Sequence, residues 1–180
     1  MDKLTLDTNV LRDWSWVEGK ILEKRYNDDP SKRESLKILF SKLTKLRDEG
    51  ICEIGITNQI CTDFEKDWNE LPTFINEMIG SHVSYVLPSI STLPMMLPFV
   101  LLDEDEVFSI LNDVFPGAKP EHKKFPSYKK DALQLYAHKV ANRDVFLTSD
   151  EKIILSREIL FSKWKIKVMT LEEYINNKVL

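Results

Sequence analysis

The chain has 180 residues, 43% of them hydrophobic, with a formal net charge of -4 at pH 7. That length and apolar content fit one domain with a sizeable core, and five Gly and eight Pro are too few for a fibrous or disordered chain. The two cysteines, Cys52 and Cys61, form no CxxC pair and no zinc spacing with histidine, so a reduced, cytoplasmic chain without a zinc centre is expected.

Lys3–Leu6 reads as a short strand, and Val10 to Lys24 as a helix carrying Trp14 and Trp16. Asn27-Asp28-Asp29-Pro30 is a turn. Ser31 and Glu34 form a capping box for an apolar-periodic helix that stops at Gly50. Cys52–Thr57 is a strand, Asn58 to Asn69 a helix, and Pro72 to Ile79 a further helical turn or two. Val83–Leu87 is a strand leading into an apolar loop punctuated by prolines. Asp103 to Val114 is a helix with acids near its start, which suits the helix dipole. Phe115 to Pro126 is a loop, and Ser127 caps a helix running to about Ala141. Asp144–Thr148 is a strand, Asp150 to Phe161 a helix, and Lys165–Met169 a strand. Thr170 and Glu173 cap the last helix.

Val83 to Leu102 is an uncharged run of membrane-spanning length, but Pro88, Pro94 and Pro98 interrupt it. Prolines break the internal hydrogen bonding that lipid demands, so no membrane association is expected. The N-terminus enters a strand with no basic and apolar leader, so no signal peptide is expected.

Short apolar strands alternating with helices predict an α/β fold, a parallel sheet with helices on both faces. Ligands bind such sheets at the carboxyl ends of the strands. Four acids fall near strand ends or helix starts: Asp7, Asp63, Asp131 and Asp150. Each alone has a plain structural alternative. Asp7 and Asp150 would suit helix caps, Asp63 a solvated helix face beside Glu65 and Asp67, and Asp131 an exposed edge paired with Lys130 or His138. Together they predict one acidic cluster, and converging carboxylates need a cation. Hard oxygen donors without Cys or His suit Mg²⁺ or Mn²⁺, which support in-line phosphoryl displacement. Asn9, Thr148 and Ser149 are placed to orient water or a phosphate.

The carrying segments are Leu4-Thr5-Leu6-Asp7-Thr8-Asn9-Val10-Leu11, Ile54-Gly55-Ile56-Thr57 with Asp63 six residues on, Lys130-Asp131-Ala132-Leu133-Gln134-Leu135-Tyr136-Ala137, and Val145-Phe146-Leu147-Thr148-Ser149-Asp150. In their order and spacing the chain resembles the PIN domain family of metal-dependent nucleases. The resemblance implies a three-layer α/β/α sandwich with a central, mostly parallel sheet over residues 1–180. It implies a Mg²⁺- or Mn²⁺-dependent endoribonuclease acting on single-stranded RNA, with Asp7, Asp131 and Asp150 holding metal. Asp63 takes a place where the family commonly has Glu, and Glu65 is the substitute. The chain exceeds the small toxin-type members, and the excess is assigned to an insertion at about 89–127.

An acidic site cleaving a polyanion needs a basic approach. Lys129, Lys130 and Arg143 are the foremost candidates, with His122, Lys123, Lys124 and Arg12 beside them, although a solvated loop explains the same charges. Trp14 and Trp16 suit base stacking or, as more commonly, burial or a dimer contact. A homodimer and an antitoxin protein are candidate partners. The alternative function is a catalytically silent binding module on the same fold. A phosphotransferase using Asp7 as nucleophile would want a second Asp two residues on, where Asn9 stands.

Overall fold

The structure, a computed structural model, describes residues 1–19, 29–57, 84–86 and 103–178, with 84–86 given by backbone alone. Its five strands are β1 (Asp2–Leu6), β2 (Cys52–Thr57), β3 (Ser84–Val86), β4 (Val145–Leu147) and β5 (Val168–Met169). They form one sheet in the order β3-β2-β1-β4-β5, and every neighbouring pair is parallel. The chain builds outward from β1 to β3 on one side and then returns to lay β4 and β5 on the other. The strand order therefore reverses between β1 and β4. That is the topological switch point, where open parallel sheets bind their ligands.

The described helices are α1 (Thr8–Val17), α2 (Pro30–Asp48), α3 (Glu104–Val114), α4 (Phe125–Val140), α5 (Glu151–Leu155), α6 (Arg157–Trp164) and α7 (Leu171–Lys178). They cover both faces of the sheet, and alternation along each strand divides the core in two. Leu4, Leu6, Ile54, Ile56, Val145 and Leu147 join α1, α2 and α7 on one face, around Trp14, Phe40 and Tyr174. Phe146 and Val168 join α3, α4 and α6 on the other, around Ile110, Leu135 and Leu160. The result is the three-layer α/β/α sandwich the sequence predicts.

Several local expectations change. Asp29, not Ser31, caps α2: its Oδ1 accepts from the backbone N–H groups of Ser31 and Lys32, and Pro30 takes the first turn, where a missing N–H is harmless. Helix α4 starts at Phe125 rather than after Ser127, with Pro126 in its first turn. The stretch after Asp150 is two helices, α5 and α6, broken at Ser156. Lys165 ends α6 in a left-handed conformation (φ 60°) instead of opening a strand. The Thr170–Glu173 capping box forms as expected, at 2.9 and 3.1 Å. Gly50 sits just past α2 with φ +70°, the conformation that favours glycine at that place.

Helix α3 falls within the expected insertion, yet it packs as part of the second core. Val107, Ile110, Leu111 and Val114 share it with Ala132, Leu135 and Tyr136 of α4. Asn58–Asn69 and Pro72–Ile79, expected as helices, lie outside the described residues, as does most of the apolar stretch at 83–102. Among the described residues, no helix is long and apolar enough to cross a membrane.

Candidate active site

Strand β1 ends at Leu6 and β4 at Leu147, side by side in register. Asp7 and Thr148 are therefore neighbours at the switch point. The Asp7 backbone N–H continues the ladder to the Leu147 carbonyl at 2.9 Å. Asp7 occupies the N-cap position of α1, but its carboxylate makes no capping hydrogen bond. Its Oδ2 instead accepts the Thr148 hydroxyl at 2.6 Å. That hydroxyl also accepts the backbone N–H of Asp150 at 3.0 Å. With its lone pair so engaged, its single proton is directed at Asp7.

Asp7 is only 2% exposed. Burial raises its pKa to about 6; the Thr148 hydroxyl, the Thr8 backbone N–H and the charge of Arg12 act against that, and the nearby Asp150 carboxylate adds to it. Asp150 does the capping work that Asp7 does not. Its Oδ1 accepts from the N–H groups of Lys152 and Ile153 at 2.9 and 3.2 Å, so Asp150 rather than Ser149 caps α5. Ser149 is exposed and Asn9 half-buried.

Helix α4 lies against this end of the sheet and contributes two buried polar residues, Gln134 and His138. Gln134 Nε2 donates to the Thr8 hydroxyl at 3.0 Å. His138 Nδ1 lies 2.8 Å from the Thr5 hydroxyl. Asp131, Gln134 and His138 are three and four residues apart, so they share one stripe of the helix. This puts the half-buried Asp131 one turn from Gln134, on the side that reaches Thr8, the residue after Asp7. His138 is not the partner of Asp131. Burial, reinforced by the charge of Arg143, lowers its pKa to about 3, so it is neutral at physiological pH. A signal for Gln134 and His138 was present: polar residues at i and i+4 on a largely apolar helix.

Among the described residues, three buried polar atoms on this side of the sheet make no hydrogen bond: Gln134 Oε1, His138 Nε2 and Thr57 Oγ1. Thr57 ends β2, beside β1.

Arg143, expected to touch substrate, is a structural residue. It is 8% exposed. Its guanidinium donates to the Leu4 carbonyl at 2.8 and 3.2 Å and to Glu53 Oε1 at 3.0 Å. It precedes β4, so it stands at the end of the sheet away from Asp7. Trp14 is buried and stacks on Phe40, with centroids 5.0 Å apart. Trp16 is buried, with the Arg33 guanidinium 5.7 Å from its ring centre. Both tryptophans serve the core rather than base stacking. The Lys129 ammonium lies 5.3 Å from the Phe108 ring centre, and Lys130 is half-buried in the first turns of α4.

The donor chemistry of Asp7 and Asp150, hard carboxylate oxygens, fits a hard divalent cation. Among the described residues, no group of three or more His, Cys, Asp or Glu side chains is placed to hold a metal ion. Asp63 and its substitute Glu65 lie outside the described residues. Compared with protein-family models, curated proteins and solved structures, the chain matches none.

Proposed function

We propose that the chain is a Mg²⁺- or Mn²⁺-dependent endoribonuclease of the PIN type, acting on single-stranded RNA. The observation that carries this reading is the buried Asp7, aimed by Thr148 and facing Asp150 at the switch point of a parallel sheet. A buried carboxylate with a like charge beside it is unfavourable without a cation. Capping would explain Asp7 more simply, but its carboxylate makes no N-cap hydrogen bond of the kind Asp150 makes and engages only the adjacent Thr8 N–H of α1.

In this reading Asp7 and Asp150 hold the ion, Asp131 adds a ligand from α4, and Asp63 or Glu65 completes the set. A divalent ion there would supply Lewis-acid stabilisation of the phosphodiester and lower the pKa of the attacking water. The chain's own groups set the geometry. Thr148 fixes the orientation of the Asp7 carboxylate by donating to Oδ2. Asp150 is locked by its capping bonds, so its second oxygen is oriented before anything binds. Ser149 and Asn9 stand at the same strand ends and would meet phosphate oxygens of a bound strand. Because burial raises the Asp7 pKa to about 6, a proton and a cation compete for it. Binding should therefore strengthen as pH rises through that value.

Calorimetric titration with Mn²⁺ tests this. One saturable site in the wild type, lost in Asp7→Asn, is expected. No stoichiometric site in the wild type would favour a catalytically silent module.

A further inference from the structure

A cavity of about 490 Å³ opens between the loop after α3 and the starts of α4 and α5. Its walls include Phe115, Ala118, His122, Tyr128, Lys152 and Leu155. It adjoins the acidic site through the chain itself. Lys152 stands two residues after Asp150, and its backbone N–H is bonded to the Asp150 carboxylate. Tyr128 stands one helical turn before Asp131.

The cavity joins a positioned cation to an apolar aromatic wall. Phe115 and Tyr128 stack with centroids 4.3 Å apart. The Lys152 ammonium lies 4.4 Å from the Tyr128 ring centre and 5.6 Å from that of Phe115. It donates to the Tyr128 hydroxyl at 2.7 Å. An ammonium has three donors, so this bond orients Lys152 and leaves N–H groups for an anion. Asp113, the acid on the wall, is already paired with Lys163 at 2.8 Å and with the Trp164 indole N–H at 2.7 Å. The nearby loop carries exposed Lys119, Lys123 and Lys124, outside the cavity lining, against one exposed acid, Glu121. Leu155, which lines the cavity, is 83% exposed, an apolar surface that a flat base would cover.

We propose that this cavity is a nucleotide subsite for single-stranded RNA, with a backbone phosphate on Lys152 and the adjoining base against the exposed Leu155; that RNA is the ligand rests on the function proposed above. Charge complementarity selects a polyanion over an apolar peptide. A strand crossing the acidic site would meet Lys152 next along its path. Lys152 is held before binding, so less side-chain freedom is lost when the strand arrives.

The test is fluorescence anisotropy of a labelled single-stranded RNA of about eight nucleotides, in EDTA and over a salt series. Loss of one phosphate contact lowers the slope of log affinity against log salt by about 0.7 for a single strand. Lys152→Ala should lower the slope by that amount and weaken binding several-fold, Lys152→Arg should restore the slope, and Leu155→Glu should weaken binding. Lys152 is exposed, so these variants should keep the wild-type Tm. Should the slope fall in Lys152→Ala while wild type cleaves no RNA, the subsite stands and the nuclease reading fails. Wild-type slope and affinity in both Lys152→Ala and Leu155→Glu would overturn the subsite, even with cleavage intact. So would a change confined to self-association or protein binding.

Discussion

Thr148, at the end of β4, donates its hydroxyl proton to Oδ2 of Asp7, at the end of β1, at 2.6 Å. The bond crosses the one point in the sheet where the strand order turns back. It opposes the burial that raises the Asp7 pKa to about 6. Thr148→Val should therefore raise that pKa further and destabilise the protein by about 1–3 kcal/mol, since a buried acceptor loses its donor. Thr148→Ser should behave as wild type. Carbon-detected NMR titration of the Asp7 carboxyl reads the first effect and chemical denaturation the second.

Asp7 and His138 should pull the stability of the metal-free protein in opposite directions with pH. The native state binds more protons at Asp7 than the unfolded state between about 3.8 and 6. Stability from this group is fully present at lower pH and falls as pH rises through that window. His138, lowered from 6.5 to about 3, binds fewer protons when folded, so its contribution is present above 6.5 and is lost as pH falls. Asp7→Asn should raise stability at pH 7 by at most about 3 kcal/mol. It should also leave a curve that rises steadily from pH 3 to 6.5. Urea midpoints across that range check both points, and an unchanged curve would contradict them.

Asp150 combines a cap and a charge, and one substitution separates them. Asparagine caps about as well as aspartate. Asp150→Asn should hold stability within about 0.5 kcal/mol while Mn²⁺ affinity falls. Asp150→Ala should lose affinity and about 1 kcal/mol of stability together. Thermal denaturation beside calorimetric titration distinguishes the two variants.

Arg143 should matter to the fold and not to RNA. Arg143→Met removes the donor to the Leu4 carbonyl and the ion pair with Glu53 Oε1. A loss of about 2–3 kcal/mol is expected, with no change in the salt slope of RNA binding. A lower slope would return Arg143 to the substrate path.

The sandwich was legible in the sequence because its strands are short apolar runs set between helical periods. The placement of Asp7, Thr148 and Asp150 past the strand ends was legible for the same reason, since strand ends are easy to mark. What sequence spacing could not separate was which acid caps its helix. Asp7 and Asp150 both follow a strand and precede a helix, and only the fold shows that Asp150 caps while Asp7 turns to Thr148. Arg143 was misplaced because a charge beside a strand looks the same at either end. Its burial follows from the bare carbonyl of Leu4 and the carboxylate of Glu53, brought near by strand pairing far along the chain. Gln134 was hidden among apolar neighbours, and His138, a candidate partner of Asp131, turns instead to the Thr5 hydroxyl.

The most direct test of the nuclease assignment is cleavage of a fluorogenic single-stranded RNA by wild type, Asp7→Asn and Asp150→Asn, each with Mn²⁺, Mg²⁺ or EDTA. Cleavage by the wild type with metal alone, reduced by at least about a hundredfold in each variant, is the predicted result; each such factor is about 2.7 kcal/mol of lost transition-state stabilisation. Equal cleavage by all three proteins, or cleavage that persists in EDTA, would contradict it.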